Sequence, residues 1–104
     1  MLYELEFEVI GQSLKWLNYD SKLVKGSRKF LKCIFTSSDE LKEYRKIACF
    51  KARKEQEYMP ILDGECIVPD NIANYRTFNV SVISMKDEQY IPTNEVTIRQ
   101  EVTS

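Results

Sequence analysis

Three groups of residues have the types and spacing that could do chemistry. Asp63 and Glu65 flank Gly64 and Asp70 follows, so hard oxygen ligands suited to calcium lie close together in sequence. Asp-Gly between two apolar runs is first a turn signal, however, because both residues tolerate positive φ, and the turn reading is preferred. The second group is Cys33, Cys49 and Cys66. None forms a Cys-x-x-Cys pair and the chain has no histidine to complete a zinc site, so each is expected as a buried thiol packing like a small apolar group. One disulfide among them stays open. The third group, Asp39, Glu40 and Glu43 beside Lys42, Arg45 and Lys46, has the helical spacing of a solvated face with paired charges.

Lack of histidine removes the commonest general base, and only three unclustered glycines leave no phosphate cradle. The expectation is a non-enzyme without cofactor or metal. Residues 15–54 carry twelve basic against four acidic side chains, so the rest of the chain stands at −9 within a net charge of −1. Tyr44 and Phe50 lie inside this basic stretch, but Phe50 shares strand parity with Ala48 and reads as core, which disfavours a nucleic-acid stacking platform. Attraction between opposite charges on neighbouring strands is the preferred account of the asymmetry. No run approaches the ~20 apolar residues of a membrane helix. The start, Met1-Leu2-Tyr3-Glu4-Leu5-Glu6, is acidic and alternating rather than a signal peptide, so synthesis in a reducing cytoplasm is expected.

The elements that would position these groups are short strands. Tyr3, Leu5, Phe7 and Val9 alternate with Glu4, Glu6 and Glu8, the period of a half-buried strand. Gly11-Gln12-Ser13 ends it and residues 14–17 offer a second strand. Residues 18–28 are polar, with a turn at 25–27. Residues 30–35 place Leu31, Cys33 and Phe35 on one face, and Thr36-Ser37-Ser38-Asp39 leads into one helical turn through Leu41 and Tyr44. Residues 47–50 read as a strand and 51–56 as a polar connection or a solvated strand end. Glu57 to Val68 reads as a hairpin closed by Asp63-Gly64, with Pro60 marking an edge strand or a bulge. Pro69 starts another helical turn, residues 78–82 alternate again, 85–88 turn the chain, and Val96 and Ile98 carry the last strand. The expected fold is all-β: a single immunoglobulin-like antiparallel β-sandwich over residues 1–104, with seven to eight short strands and one or two helical turns. A closed small barrel is the alternative.

Taken in order, Phe35, Arg45-Lys46-Ile47-Ala48-Cys49-Phe50, Glu57-Tyr58, Leu62-Asp63-Gly64-Glu65-Cys66-Ile67-Val68-Pro69, Phe78-Asn79-Val80-Ser81-Val82 and Pro92-Thr93-Asn94 form a pattern. It resembles an immunoglobulin-like β-sandwich module of tailed-phage structural proteins, in the tail and baseplate region. The chain departs from that module at Leu41 or Tyr44, where tryptophan is frequent, and at Ser84, where glycine is. The resemblance implies a non-enzymatic virion component acting by protein–protein contact, through strand edges or a loop patch. Candidate partner-binding residues are Arg45, Lys46, Arg53, Lys54, Tyr58 and Met59. Partners would be other virion proteins or a host effector, with homo-oligomerisation compatible and no membrane. Such a protein would be made in the host cytoplasm and carried in the virion. The alternative is a small inhibitor of a host defence system, anti-CRISPR-like, using Glu4, Glu6 and Glu8 to compete for a nuclease surface. A third reading, carbohydrate binding, would need Trp16, Tyr19 and Tyr75 exposed.

Overall fold

The computed structural model describes residues 3–18 and 31–100. Nine strands lie among them: β1 (Tyr3–Ile10), β2 (Ser13–Trp16), β3 (Leu31–Ser37), β4 (Arg45–Ala52), β5 (Glu55–Pro60), β6 (Glu65–Ile67), β7 (Thr77–Lys86), β8 (Gln89–Pro92) and β9 (Val96–Arg99). A 3-10 turn spans Asp39–Leu41 and a four-residue helix, α1, spans Asp70–Ala73. No helix among the described residues is long and apolar enough to cross a membrane.

The strands form two sheets, ordered β2-β1-β3-β6 and β5-β4-β7-β8, with β9 also on β7. The alternation that predicted β1 sends Leu5, Phe7 and Val9 inward, fully buried, and leaves Glu4 and Glu6 exposed. Leu31, Cys33 and Phe35 of β3, Ala48, Phe50 and Ala52 of β4, and Phe78, Val80 and Val82 of β7 complete one apolar core between the sheets. Phe7 stacks on Phe35 at 5.1 Å between ring centroids, and Phe50 meets Phe78 at a tilt, 6.5 Å away. The all-β sandwich is therefore present.

Three details differ from expectation. The sandwich is not purely antiparallel, because β1 and β3 run parallel from Tyr3↔Leu31 to Val9↔Ser37. β1 lies between β2 and β3, so β3 does not pair with the strand that precedes it in the chain. The predicted turn at 25–27 falls outside the described residues. Strand content is also higher than expected, nine strands rather than seven or eight, and 51–56 resolves into strand ends: β4 and β5 continue to Ala52↔Glu55 around the two-residue turn Arg53-Lys54.

The third difference concerns the Asp-Gly hairpin. Asp63 and Gly64 do have positive φ, +54° and +77°, as a type I′ turn requires. Only one bridge, Leu62↔Glu65, follows from it. Beyond the turn the arms part: β5 pairs with β4 in one sheet and β6 with β3 in the other. The turn is a corner by which the chain changes sheets. Pro60 nevertheless lies on an edge strand as expected, opposite Ile47.

Three amide side chains fasten the sandwich. Asn94 accepts from Leu14 N at 2.8 Å and donates to Leu14 O at 3.2 Å, joining the β8–β9 corner to the free edge of β2 in the other sheet. Asn18 accepts from Glu6 N and Trp16 Nε1 and donates to Glu4 O, extending β2's pairing past its end. Gln100, almost wholly buried, donates to the carbonyls of Ala73 and Tyr75 beyond α1. Between β8 and β9, Thr93 N donates to Val82 O while Thr93 Oγ1 accepts from Val82 N, so β7 keeps its hydrogen bonds where its partner strand changes.

Candidate functional site

The sheet-changing corner creates a cleft at one end of the sandwich. Its volume is about 670 Å³, within the size range of small-molecule pockets and large enough for one or two side chains of a partner. Phe35, at the end of β3, forms the floor. One wall is Ser37 to Lys42, where β3 gives way to the 3-10 turn. The other is Pro60-Ile61-Leu62-Asp63-Gly64, and Tyr44 to Ile47 close the back.

Local bonding holds this shape. Phe35 N donates to Gly64 O at 2.7 Å, and Ile61 N donates to Lys46 O at 3.0 Å, so each sheet grips one arm of the corner. A Cβ at Gly64 would stand 3.0 Å from Phe35 O, which explains why the closest approach falls at glycine. Leu41 is buried and anchors the 3-10 turn, whereas Ser38, expected to cap that turn, makes no capping hydrogen bond from its side chain. Tyr44 OH hydrogen-bonds Gln89 Oε1, and Lys86 lies 5.8 Å from the Tyr44 ring while pairing with Glu43 at 3.0 Å.

Lys46 is the distinctive charge here. Its ammonium donates to Leu41 O at 2.8 Å and Tyr44 O at 3.1 Å, and among the described residues it has no carboxylate partner. Burial strips water from it and lowers its pKa below the ordinary 10.5. Lys42 and Arg45, both exposed, add positive charge at the rim, against Asp39 and Asp63. Leu62 projects beside them with 69% of its surface exposed, a large apolar side chain left in water at the tip of the corner. Chemically, the arrangement offers an apolar floor, an exposed leucine and a partly desolvated cation, which suits binding of an apolar group that carries a carboxylate.

The expected contact residues do not form one patch. Arg45 and Lys46 line the cleft. Arg53 and Lys54 occupy the turn at the far end of β4, separated from Arg45 by an eight-residue strand, roughly 25 Å. Tyr58 lies on the outer face of the five-stranded sheet, 56% exposed, where Gln56 Nε2 donates to its hydroxyl at 2.8 Å. Met59 is less exposed than expected: it points the other way along β5 and packs half-buried against the core. The β5 edge is also a poor site for strand addition, since Glu55 and Glu57 point inward, held by Asn71 Nδ2, and Pro60 lacks a donor. Phe35, Ile61 and Leu62 went unnoticed as site residues, and Tyr44 was weighed only as a nucleic-acid stacking residue; the available signal was the run Pro60-Ile61-Leu62, apolar yet placed immediately before a tight turn.

The other sequence groups resolve into structural roles. Glu65 of β6 pairs with Lys32 of β3 at 2.8 Å, and Glu95, in the connection before β9, pairs with Lys51 of β4 at 3.2 Å; both bridges join the basic segment to the acidic remainder. Glu4 and Glu6 are exposed on the outer face of β1, while Glu8 is half-buried and opposite Lys15. Trp16 and Tyr75 pack against the core, and Tyr19 lies outside the described residues.

No family model matches the chain, and no curated protein matches it. Among solved structures it is similar to one described as the N-terminal domain of phage TP901-1 ORF48, with a TM-score of 0.47 and 12% sequence identity over 97% of this chain and 98% of that one. That likeness is too distant to transfer a role, a partner or a site residue.

Proposed function

We propose that this chain is a non-enzymatic interaction module of a tailed-phage particle, in the tail or baseplate region, that grips a protein partner with the end cleft. The cleft carries the reading: an exposed Leu62 beside an apolar floor and the Lys42, Arg45 and Lys46 cations suits a partner presenting an apolar side chain next to a carboxylate. The virion setting is supported by the resemblance of the ordered motifs from Phe35 to Asn94 to phage structural modules. The contact group is accordingly Lys42, Arg45, Lys46 and Leu62, with Tyr58 as a separate exposed aromatic and Arg53 and Lys54 remote.

The test is incorporation. Particles purified from the encoding phage should contain the chain, and Leu62→Asp or Arg45→Glu should remove it while the purified variant keeps its melting temperature. Absence of the chain from particles would refute the virion role. A second reading, inhibition of a host nuclease or immune effector, is favoured by one observation: Glu4 and Glu6 stand exposed in one row of β1. Copurification with such an effector, lost on changing both glutamates to glutamine, would replace the first reading with this one.

A further inference from the structure

We propose that Cys33 and Cys66 are an oxidisable dithiol that closes into an intramolecular disulfide, pinning β6 to β3 beside the cleft. The two residues are direct partners in the antiparallel β3–β6 ladder. Phe35 N→Gly64 O and Val68 N→Leu31 O lie two residues to either side, which makes Cys33↔Cys66 a hydrogen-bonded pair with a Cα separation of about 5.5 Å. Disulfides span about 4.4–6.8 Å between Cα atoms, so the pair lies within bridging range; side chains of a hydrogen-bonded pair stand farther apart than those of a non-hydrogen-bonded one, so closure draws the edge strand β6 toward β3. Both side chains point to the same inner face and are buried in the core between the sheets. Cys49 lies in the other sheet, on its outer side, where its Sγ accepts from Gln56 Nε2 at 3.3 Å, so it does not compete.

Access favours one order of events. Cys33 is fully buried, whereas Cys66 keeps 8% of its surface and sits on a three-residue edge strand, the kind of element that opens locally at low cost. With oxidised glutathione as oxidant, the Cys66 thiolate attacks one glutathione sulfur and expels the other glutathione as a thiolate. Cys33, having lost its proton to solvent when β6 opens, then attacks the Cys66 sulfur and expels the second glutathione. Two protein thiols lose two electrons and two protons; the oxidised glutathione gains them as two thiols. Burial pushes the Cys33 thiol well above its ordinary pKa of 9.0, which keeps that thiol protonated and unreactive until β6 opens. The new bond would close the loop from 33 to 66, which contains β4 and β5, and fix Gly64 two residues from a covalent tie. Nothing in this depends on what the cleft binds.

The test is to unfold the full-length chain in urea, refold it in glutathione buffers from fully reduced to fully oxidised, and quench with an alkylating agent for mass mapping. Refolding in the buffer prevents burial from hiding the thiols. The expected result is paired loss of two thiols, mapped as a Cys33–Cys66 cross-link, with Cys49 still alkylated and the same outcome in Cys49→Ser. The oxidised form should melt at least about 5 °C higher than the reduced form and show slower amide exchange at Phe35 and Val68. Three free thiols in the oxidised buffer, a cross-link through Cys49, or a stable glutathione adduct on Cys66 alone would each overturn the proposal. So would a cross-linked form whose exchange at Phe35 and Val68 is unchanged.

Discussion

Replacing Gly64 with alanine should destabilise the chain well beyond the same change at Gly11, and the difference isolates what the cleft corner demands. Both glycines have positive φ, +77° at Gly64 and +56° at Gly11. An alanine there carries the left-handed penalty of about 1–2 kcal/mol, offset by about 0.4–1 kcal/mol because the unfolded chain loses freedom as well. Gly11→Ala should thus cost about 1 kcal/mol, since the nearest atom to its Cβ is a flexible carboxylate oxygen of Glu40, 3.7 Å away. At Gly64 the Cβ would meet the backbone oxygen of Phe35 at 3.0 Å. The backbone cannot retreat freely, because Phe35 N is bonded to Gly64 O at 2.7 Å and Phe35 itself is packed on Phe7. Overpacking of this kind adds about 1–3 kcal/mol, for a total of roughly 2–4 kcal/mol. In a domain of this size that corresponds to a fall in melting temperature of about 15 °C, against about 5 °C for Gly11→Ala. Urea unfolding with an unchanged slope for both variants would give the comparison directly. If Gly64→Ala costs no more than Gly11→Ala, the close approach of the corner to β3 is not a constraint, and the account of the cleft wall is wrong.

Other perturbations test other links. Asn94→Ala removes both amide contacts to Leu14 and strands a backbone N–H at a buried residue, so the urea midpoint should fall by an amount equivalent to about 2 kcal/mol. Ser84 is fully buried on β7 and its hydroxyl has no hydrogen-bond partner, so Ser84→Ala should be neutral or raise stability by about 1 kcal/mol, read from the same unfolding curves. The Lys32 ammonium is held above its ordinary 10.5 chiefly by the hydrogen bond it donates to Glu65. A raised lysine pKa contributes stability fully below 10.5 and loses it as pH rises through the folded value. The difference in melting temperature between the native chain and Lys32→Met should therefore be constant at neutral pH and shrink above about pH 10.5; a difference that persists at higher pH would assign the effect to packing.

Strand positions were legible in the sequence because the burial period is local. Leu5, Phe7 and Val9, or Phe78, Val80 and Val82, show which way each side chain points without reference to any other strand. Turns were legible for the same reason: Asp63-Gly64 states its own φ requirement. Partner strands were less so. Nothing between Glu57 and Val68 indicates that β5 belongs with β4 and β6 with β3, because each arm has the apolar residues to suit either sheet. Their partners are strands remote in sequence: β6 pairs with β3 and β5 with β4, and the backbone of Phe35 binds Gly64 at the corner between them. The partial burial of Met59 was hidden by the same gap, since exposure on an edge strand depends on which sheet the strand joins.

The candidate site is nonlocal in the same way, and this explains both its content and its invisibility. Each of its walls also holds the fold together. Leu41 anchors a 3-10 turn, Lys46 ties two carbonyls, and Gly64 accepts from Phe35. Together these contacts hold an open end that the core does not fill, and Leu62 is left exposed because the turn geometry at Asp63-Gly64 projects the preceding residue away from both sheets. A leucine held in water by its own turn gains free energy from any partner that covers it, roughly 1.5–3 kcal/mol for a fully buried side chain. Lys46 acts in the opposite direction: removing more water from an ammonium already depleted of it costs free energy unless the partner supplies an acceptor. The cleft therefore discriminates as well as attracts. A purely apolar partner would gain at Leu62 and lose at Lys46, whereas an apolar side chain next to a carboxylate satisfies both. Replacing Lys46 with methionine should accordingly relax partner selectivity toward apolar ligands rather than abolish binding, an outcome that peptide-array binding on the purified chain would reveal.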